Sequence, residues 1–101
     1  MIVYIVNLEV EAAIASEYLD WLRAHSDEML TLSGFLGVEV FERLEPMAGP
    51  GRVEFSVHYR LRDREAFDAY LRDHAPRMRE AGLRAFGNRV RARRGLLQAV
   101  Q

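Results

Sequence analysis

The first ten residues restrict the possible folds more than any other stretch. In Met1 to Val10, Ile2, Tyr4, Val6, Leu8 and Val10 share one parity, while Val3 and Ile5 share the other with Asn7 and Glu9. Side chains alternate across a strand, so this segment is apolar on both faces. A strand of that kind belongs in the middle of a sheet that is covered twice.

The rest of the chain supplies one cover. From about Glu11 to Leu32, the residues Ile14, Tyr18, Trp21, Leu22, His25, Met29 and Leu32 recur every three or four positions, with Glu17, Asp20, Asp27 and Glu28 off the stripe. This is the pattern of an amphipathic helix. Ser33-Gly34 supplies its stop. Phe35 to Leu44 reads as a second strand, Pro46 to Gly51 as a loop, and Arg52 to Arg62 as a cleanly alternating third strand. Val53, Phe55, Val57, Tyr59 and Leu61 lie on one side of it, opposite Glu54, Ser56, His58 and Arg60. Asp63 is placed to cap a helix that buries Ala66, Phe67, Tyr70 and Leu71. Pro76 predicts a break near Asp73-His74-Ala75 and a new helix packed through Met78, Leu83, Ala85 and Phe86. A last strand lies within Arg89 to Gln101.

The order βαββαβ predicts one α+β domain over 1–101, a ferredoxin-like four-stranded antiparallel sheet with its helices on one face and its second and fourth strands at the edges. The bare face then calls for a second copy, giving a homodimeric α+β barrel.

Half of the 101 residues are apolar and none is Cys, which excludes disulfides and thiolate metal sites and suits a cytoplasmic protein. With no basic leader and no apolar run near the ~18 residues that cross a bilayer, a soluble, unexported chain is expected, without membrane contact. Residues 1–50 carry nine acids against Arg23 and Arg43; residues 51–101 carry twelve Arg against six acids. Arg89, Arg91, Arg93 and Arg94 have no recognition motif beside them and the net charge is −1, so nucleic acid is not an expected partner. The basic fourth strand of one copy facing Glu39, Glu42 and Glu45 on the second strand of another would instead set the register of a dimer.

His25 is the one ionisable member of the helical stripe. Desolvation there holds the imidazole neutral and able to accept a proton near pH 7, the requirement for a general base. Tyr18, Trp21 and Tyr59, with Tyr4, can wall a pocket for a flat ligand, and Asn7 can orient a carbonyl or a dioxygen adduct. Each has an ordinary reading as well: a core His bonded to backbone or a Tyr hydroxyl, packing aromatics, a strand-end Asn in a turn. A cavity reaching the His25 ring separates the two. Glu54, Ser56, His58 and Arg60 would form an ionic network or a second site inside the barrel, and His74 would cap the helix break. The three His show no metal-ligand spacing. Phosphate loops, nucleophile–base pairs and paired catalytic carboxylates are absent too, which favours the non-catalytic reading, and no cofactor is expected.

Met1-Ile2-Val3-Tyr4, Trp21-Leu22 followed by His25, Ser33-Gly34-Phe35, Tyr70 to Arg77 and Phe86-Gly87-Asn88-Arg89 together resemble a bacterial domain-of-unknown-function family in the dimeric α+β barrel superfamily. The resemblance implies a homodimer whose sheets close into a barrel. More distant members include antibiotic-biosynthesis monooxygenases that oxidise aromatics without metal or flavin, haem-degrading monooxygenases, and small isomerases and lyases. This chain departs from many members of the family in having Ile5 where they are polar and Ser26-Asp27 where they carry Ile-Pro. Tyr70 stands near a Trp, and Glu80 near a His, of the haem-degrading relatives, which disfavours haem degradation. Two functions are compatible with these features. One is a cofactor-independent enzyme of monooxygenase or isomerase type on a small aromatic or enolisable molecule; the other is a non-catalytic homodimer for small-ligand binding or assembly.

Overall fold

The computed structural model describes all residues from Met1 to Gln101. Strand β1 (Ile2–Glu11) leads through a 3-10 turn (Ala12–Ile14) into helix α1 (Ala15–Met29). A hairpin follows, formed by β2 (Phe35–Glu42) and β3 (Arg52–Leu61). Helices α2 (Arg64–Asp73) and α3 (Ala75–Phe86) come next, and a second 3-10 turn (Gly87–Arg89) precedes β4 (Val90–Gln98). The sheet is antiparallel throughout in the order β2-β3-β1-β4, with the helices on one face, so the ferredoxin-like α+β reading is correct. No helix is long and apolar enough to cross a membrane.

Local chemistry explains the element ends. The Asp63 carboxylate accepts the Ala66 N–H at 2.8 Å and caps α2. His74, at φ −132°, breaks the helical path, and Pro76 falls in the first turn of α3, where its missing N–H costs nothing. Helix α1 is shorter than the apolar spacing suggested. Glu11 is still in the strand, and at the far end the Thr31 and Leu32 N–H groups bond to Glu28 and Met29 three residues back. That tightened turn ends the helix before Leu32.

Register decides which residues form the core. Tyr4, Leu8 and Val10 of β1 and Phe55, Val57, Tyr59 and Leu61 of β3 are buried under Tyr18, Leu22 and Met29 of α1 and Phe67, Tyr70, Met78 and Phe86 of α2 and α3. The axis of the α1 stripe runs through the buried Ser26, so Trp21 and His25 stand at its margin, partly exposed. Two residues expected to pack α3 do not: Ala85 is exposed and Leu83 is 65 % exposed, because Ala75, Met78 and Phe86 already fill the inward side.

The opposite face of the sheet has no covering layer of its own chain. Val3, Ile5, Asn7 and Glu9 share it with Arg52, Glu54, Ser56, His58 and Arg60. Ser56 donates to Asn7 Oδ1 at 2.7 Å and lies 3.1 Å from His58 Nε2. Arg43 pairs with Glu54, and Arg60 with Glu39 at 2.8 Å.

Candidate functional site

Between the sheet and helices α1 and α3 lies a cavity of about 100 Å³, open to solvent on one side. Its walls are mostly aromatic and aliphatic. From α1 come Tyr18, Trp21, Leu22 and His25; from the sheet, Tyr4, Tyr59 and Val57; from α2 and α3, Tyr70, Met78 and Gly82. The volume compares with the ~150 Å³ of a protein cavity that holds one benzene. It is about two-thirds of that volume, so a single ring fills it and extends into the open mouth.

His25 is set into this wall by stacking. Its ring lies 4.6 Å from that of Trp21, centroid to centroid, with only 13° between the planes. Trp21 is itself held by Tyr18, stacked at 5.7 Å, and by the edge of Phe86 at 5.7 Å. No protein group hydrogen-bonds to the imidazole, and burial pushes its pKa below the ordinary 6.5, only partly opposed by Glu28. A neutral ring with free nitrogens beside a cavity can take a proton.

The tyrosines play the complementary part. Burial pushes the Tyr18 and Tyr70 hydroxyls well above their usual pKa, and Tyr59 up to about 12. They remain protonated at neutral pH and can donate to an oxygen that gathers negative charge. Tyr59 has only a long contact, 3.5 Å to the Ser26 hydroxyl, so its donor is weakly committed.

Tyr18, Trp21, His25 and Tyr59 therefore converge on one cavity. Asn7 does not join them. The alternation that turns Tyr4, Val6 and Leu8 toward the helices turns Asn7 outward, where it accepts from Ser56. A substrate in the cavity is thus beyond its reach, which corrects the expected orienting role.

Reading the sequence alone also missed cavity residues. Arg79 and Arg94 line it, as does Gly82. The signals were present: Arg94 has the parity of Val90, Ala92 and Leu96, and Arg79, Gly82 and Phe86 follow one another at three- and four-residue intervals. No three His, Asp or Glu side chains converge anywhere in the chain.

Solved structures share this fold across the whole chain. An assigned antibiotic biosynthesis monooxygenase from Deinococcus radiodurans superposes with a TM-score of 0.74 at 18 % identity, covering 100 % of this chain and 94 % of its own. SnoaB, a cofactor-independent oxygenase from Streptomyces nogalater, in the form of a point mutant, gives 0.68 at 17 % identity, with 99 % and 94 % covered. The haem-degrader MhuD from Mycobacterium tuberculosis, with two haems bound, gives 0.68 at 22 % identity, with 100 % and 97 % covered. At such identities the likeness is one of fold. No curated protein matches the sequence. Residues 1–100 match the model of the domain of unknown function DUF4286, and the chain belongs to that family.

Proposed function

We propose that this protein is a cofactor-independent enzyme of monooxygenase or isomerase type, acting on a small aromatic or enolisable molecule with His25 as general base. The observation that carries the reading is the His25 ring itself: unbonded to protein, held neutral by burial, and stacked on Trp21 at the edge of an aromatic cavity. The ring is partly exposed, so its nitrogens are open to water or to a ligand rather than held by a protein partner.

In the proposed reaction His25 takes a proton from an activated C–H or O–H of the substrate. The electron pair stays on the substrate as an enolate or phenolate, and Tyr59 donates a hydrogen bond to its oxygen. Return of the proton at another carbon completes an isomerisation; delivery of the electrons to dioxygen, the co-reactant, begins an oxygenation. Support for the oxygenase form comes from SnoaB, which is described as needing no cofactor on the same fold. MhuD holds haem on that fold, so haem belongs in the screen as a competing ligand.

The test is oxygen uptake and ultraviolet detection of tautomerisation with a panel of hydroquinones, phenols and aromatic 1,3-dicarbonyls. Activity is expected to persist at pH 6.5 and to fall only at lower pH, where the depressed His25 pKa is crossed, and to be lost in His25→Gln, whose fold is checked by circular dichroism. Equal turnover by wild type and a folded His25→Gln refutes the assignment.

We also propose a homodimer formed through the uncovered sheet face. Val3 and Ile5 lie there without a covering layer, and Leu97, opposite Val3, is 54 % exposed. A species that sediments as a monomer at tens of micromolar overturns this assignment.

A further inference from the structure

The cavity wall is aromatic, but its polar complement is one-sided. Arg79 of α3 and Arg94 of β4 both line it, and no Asp or Glu does. Neither guanidinium has a carboxylate within 4.0 Å, although nine other arginine–carboxylate pairs form in this chain. Arg79 spends one N–H on the Tyr4 hydroxyl at 3.3 Å, a neutral acceptor at the long end of the range. Its Nε is buried with no partner at all. Arg94 sits opposite Val6 and Arg79 reaches Tyr4, two residues away on the same face of β1. Two guanidinium groups without carboxylate partners therefore border one apolar chamber, a half-buried Arg79 and Arg94 on the exposed β4 edge, and a partly desolvated cation left unpaired favours a ligand that brings an anion.

We propose that the cavity binds a single-ring aromatic carboxylic acid, its ring among Trp21, Tyr18 and Tyr59 and its carboxylate held by Arg79 and Arg94. This substrate class rests on the proposed reading of the pocket as a catalytic site and narrows it. The fork of a guanidinium matches the two oxygens of a carboxylate, which a phenol or neutral ketone does not offer. Size points the same way, since about 100 Å³ with an open mouth has room for no more than one ring. An arylpyruvic acid combines both features, with a carboxylate for the arginines and an acidic C–H next to its ketone for a base.

The experiment is isothermal titration of the full-length protein with benzoate, 4-hydroxybenzoate and phenylpyruvate, each acid paired with its uncharged amide. The acids are expected to bind at least about tenfold tighter than the amides, the worth of one charge-assisted hydrogen bond. Arg79→Gln and Arg94→Gln should each remove most of that preference while leaving amide binding in place. Amides that bind as well as acids overturn the proposal, and so does an acid preference that survives both arginine substitutions. The acid-against-amide comparison uses the wild-type chain, so it stands even where a variant fails to fold. Acids that bind and are never turned over remove the catalytic reading alone. Turnover of a neutral aromatic by a protein that ignores the acids removes this proposal alone.

Discussion

Gly82 occupies the middle of α3, where glycine is a poor choice, and the cavity explains why it is there. A Cβ at this position would lie 3.4 Å from Trp21 Cη2 and 4.0 Å from Cζ3, ordinary van der Waals contact with nothing displaced. Gly82→Ala therefore gains helix propensity, about 0.8–1 kcal/mol, with no steric charge against it. Allowing for context, a net gain of about 0.5–1 kcal/mol is expected, which raises the midpoint of a 101-residue chain by roughly 2–8 °C. Calorimetry at fixed protein concentration measures it, since association alone also moves the midpoint. The same methyl projects toward the face of the Trp21 ring that walls the cavity, so ligand affinity is expected to fall while stability rises. A bulkier Gly82→Leu should abolish binding. A lowered midpoint for the Ala variant refutes the reasoning, because it would mean that α3 and Trp21 are packed too closely for a methyl group. Unchanged affinity in Gly82→Leu would separate the ligand site from this wall.

Three further outcomes are expected. The His25 pKa is depressed in the folded state, so the unfolded chain binds more protons below 6.5 and stability declines as pH falls through that value; His25→Gln should flatten this part of a urea-denaturation pH profile, and an identical slope counts against the burial argument. Gly34, at φ +85° with a Cβ site 2.4 Å from Ala66 Cβ, should lose about 2 kcal/mol or more as Gly34→Ala, from left-handed strain and overpacking together, measured by chemical denaturation. Reversing Arg91 and Arg93 to Glu should weaken self-association in sedimentation measurements, because neither has an acidic partner within its own chain and a facing β2 edge carries Glu42; a dimer of unchanged strength removes the charge-register idea.

Much of the fold was legible because hydrophobic period reports directly on burial. The parity of Arg52 to Leu61 and the breaks at Gly34 and Pro76 placed the strands and helices in order. The site was legible only where one element carried it, as α1 carries Trp21 and His25. Asn7 was misread because β1 is apolar on both sides, and its own sequence does not say which side meets the helices. The pairing of Tyr4 with Tyr59 and Leu96 does say so, but that is information held between strands. Arg94 was hidden for a related reason. Among four arginines in six residues it looks like one more surface charge, and although it is exposed, only its opposition to Val6 marks it as standing on the cavity side of the sheet edge. The existence of the α1 stripe was clear, but neither its ends nor its centre at Ser26 was, because Glu11 and Leu32 fit the spacing yet fall outside the helix and a small hydroxyl carries little weight in a hydrophobic pattern.

The central strand is a partition with different tenants on its two sides. Tyr4 and Val6 line the chamber, while Ile5 and Asn7, their immediate neighbours in the chain, look out on the bare surface where a twin molecule would dock. A one-residue deletion in β1 would exchange the tenants wholesale, presenting tyrosine to the twin and asparagine to the ligand. Point substitutions, by contrast, can alter either room alone, so the proposed ligand choice and the proposed self-assembly would be free to drift apart along a single ten-residue strand.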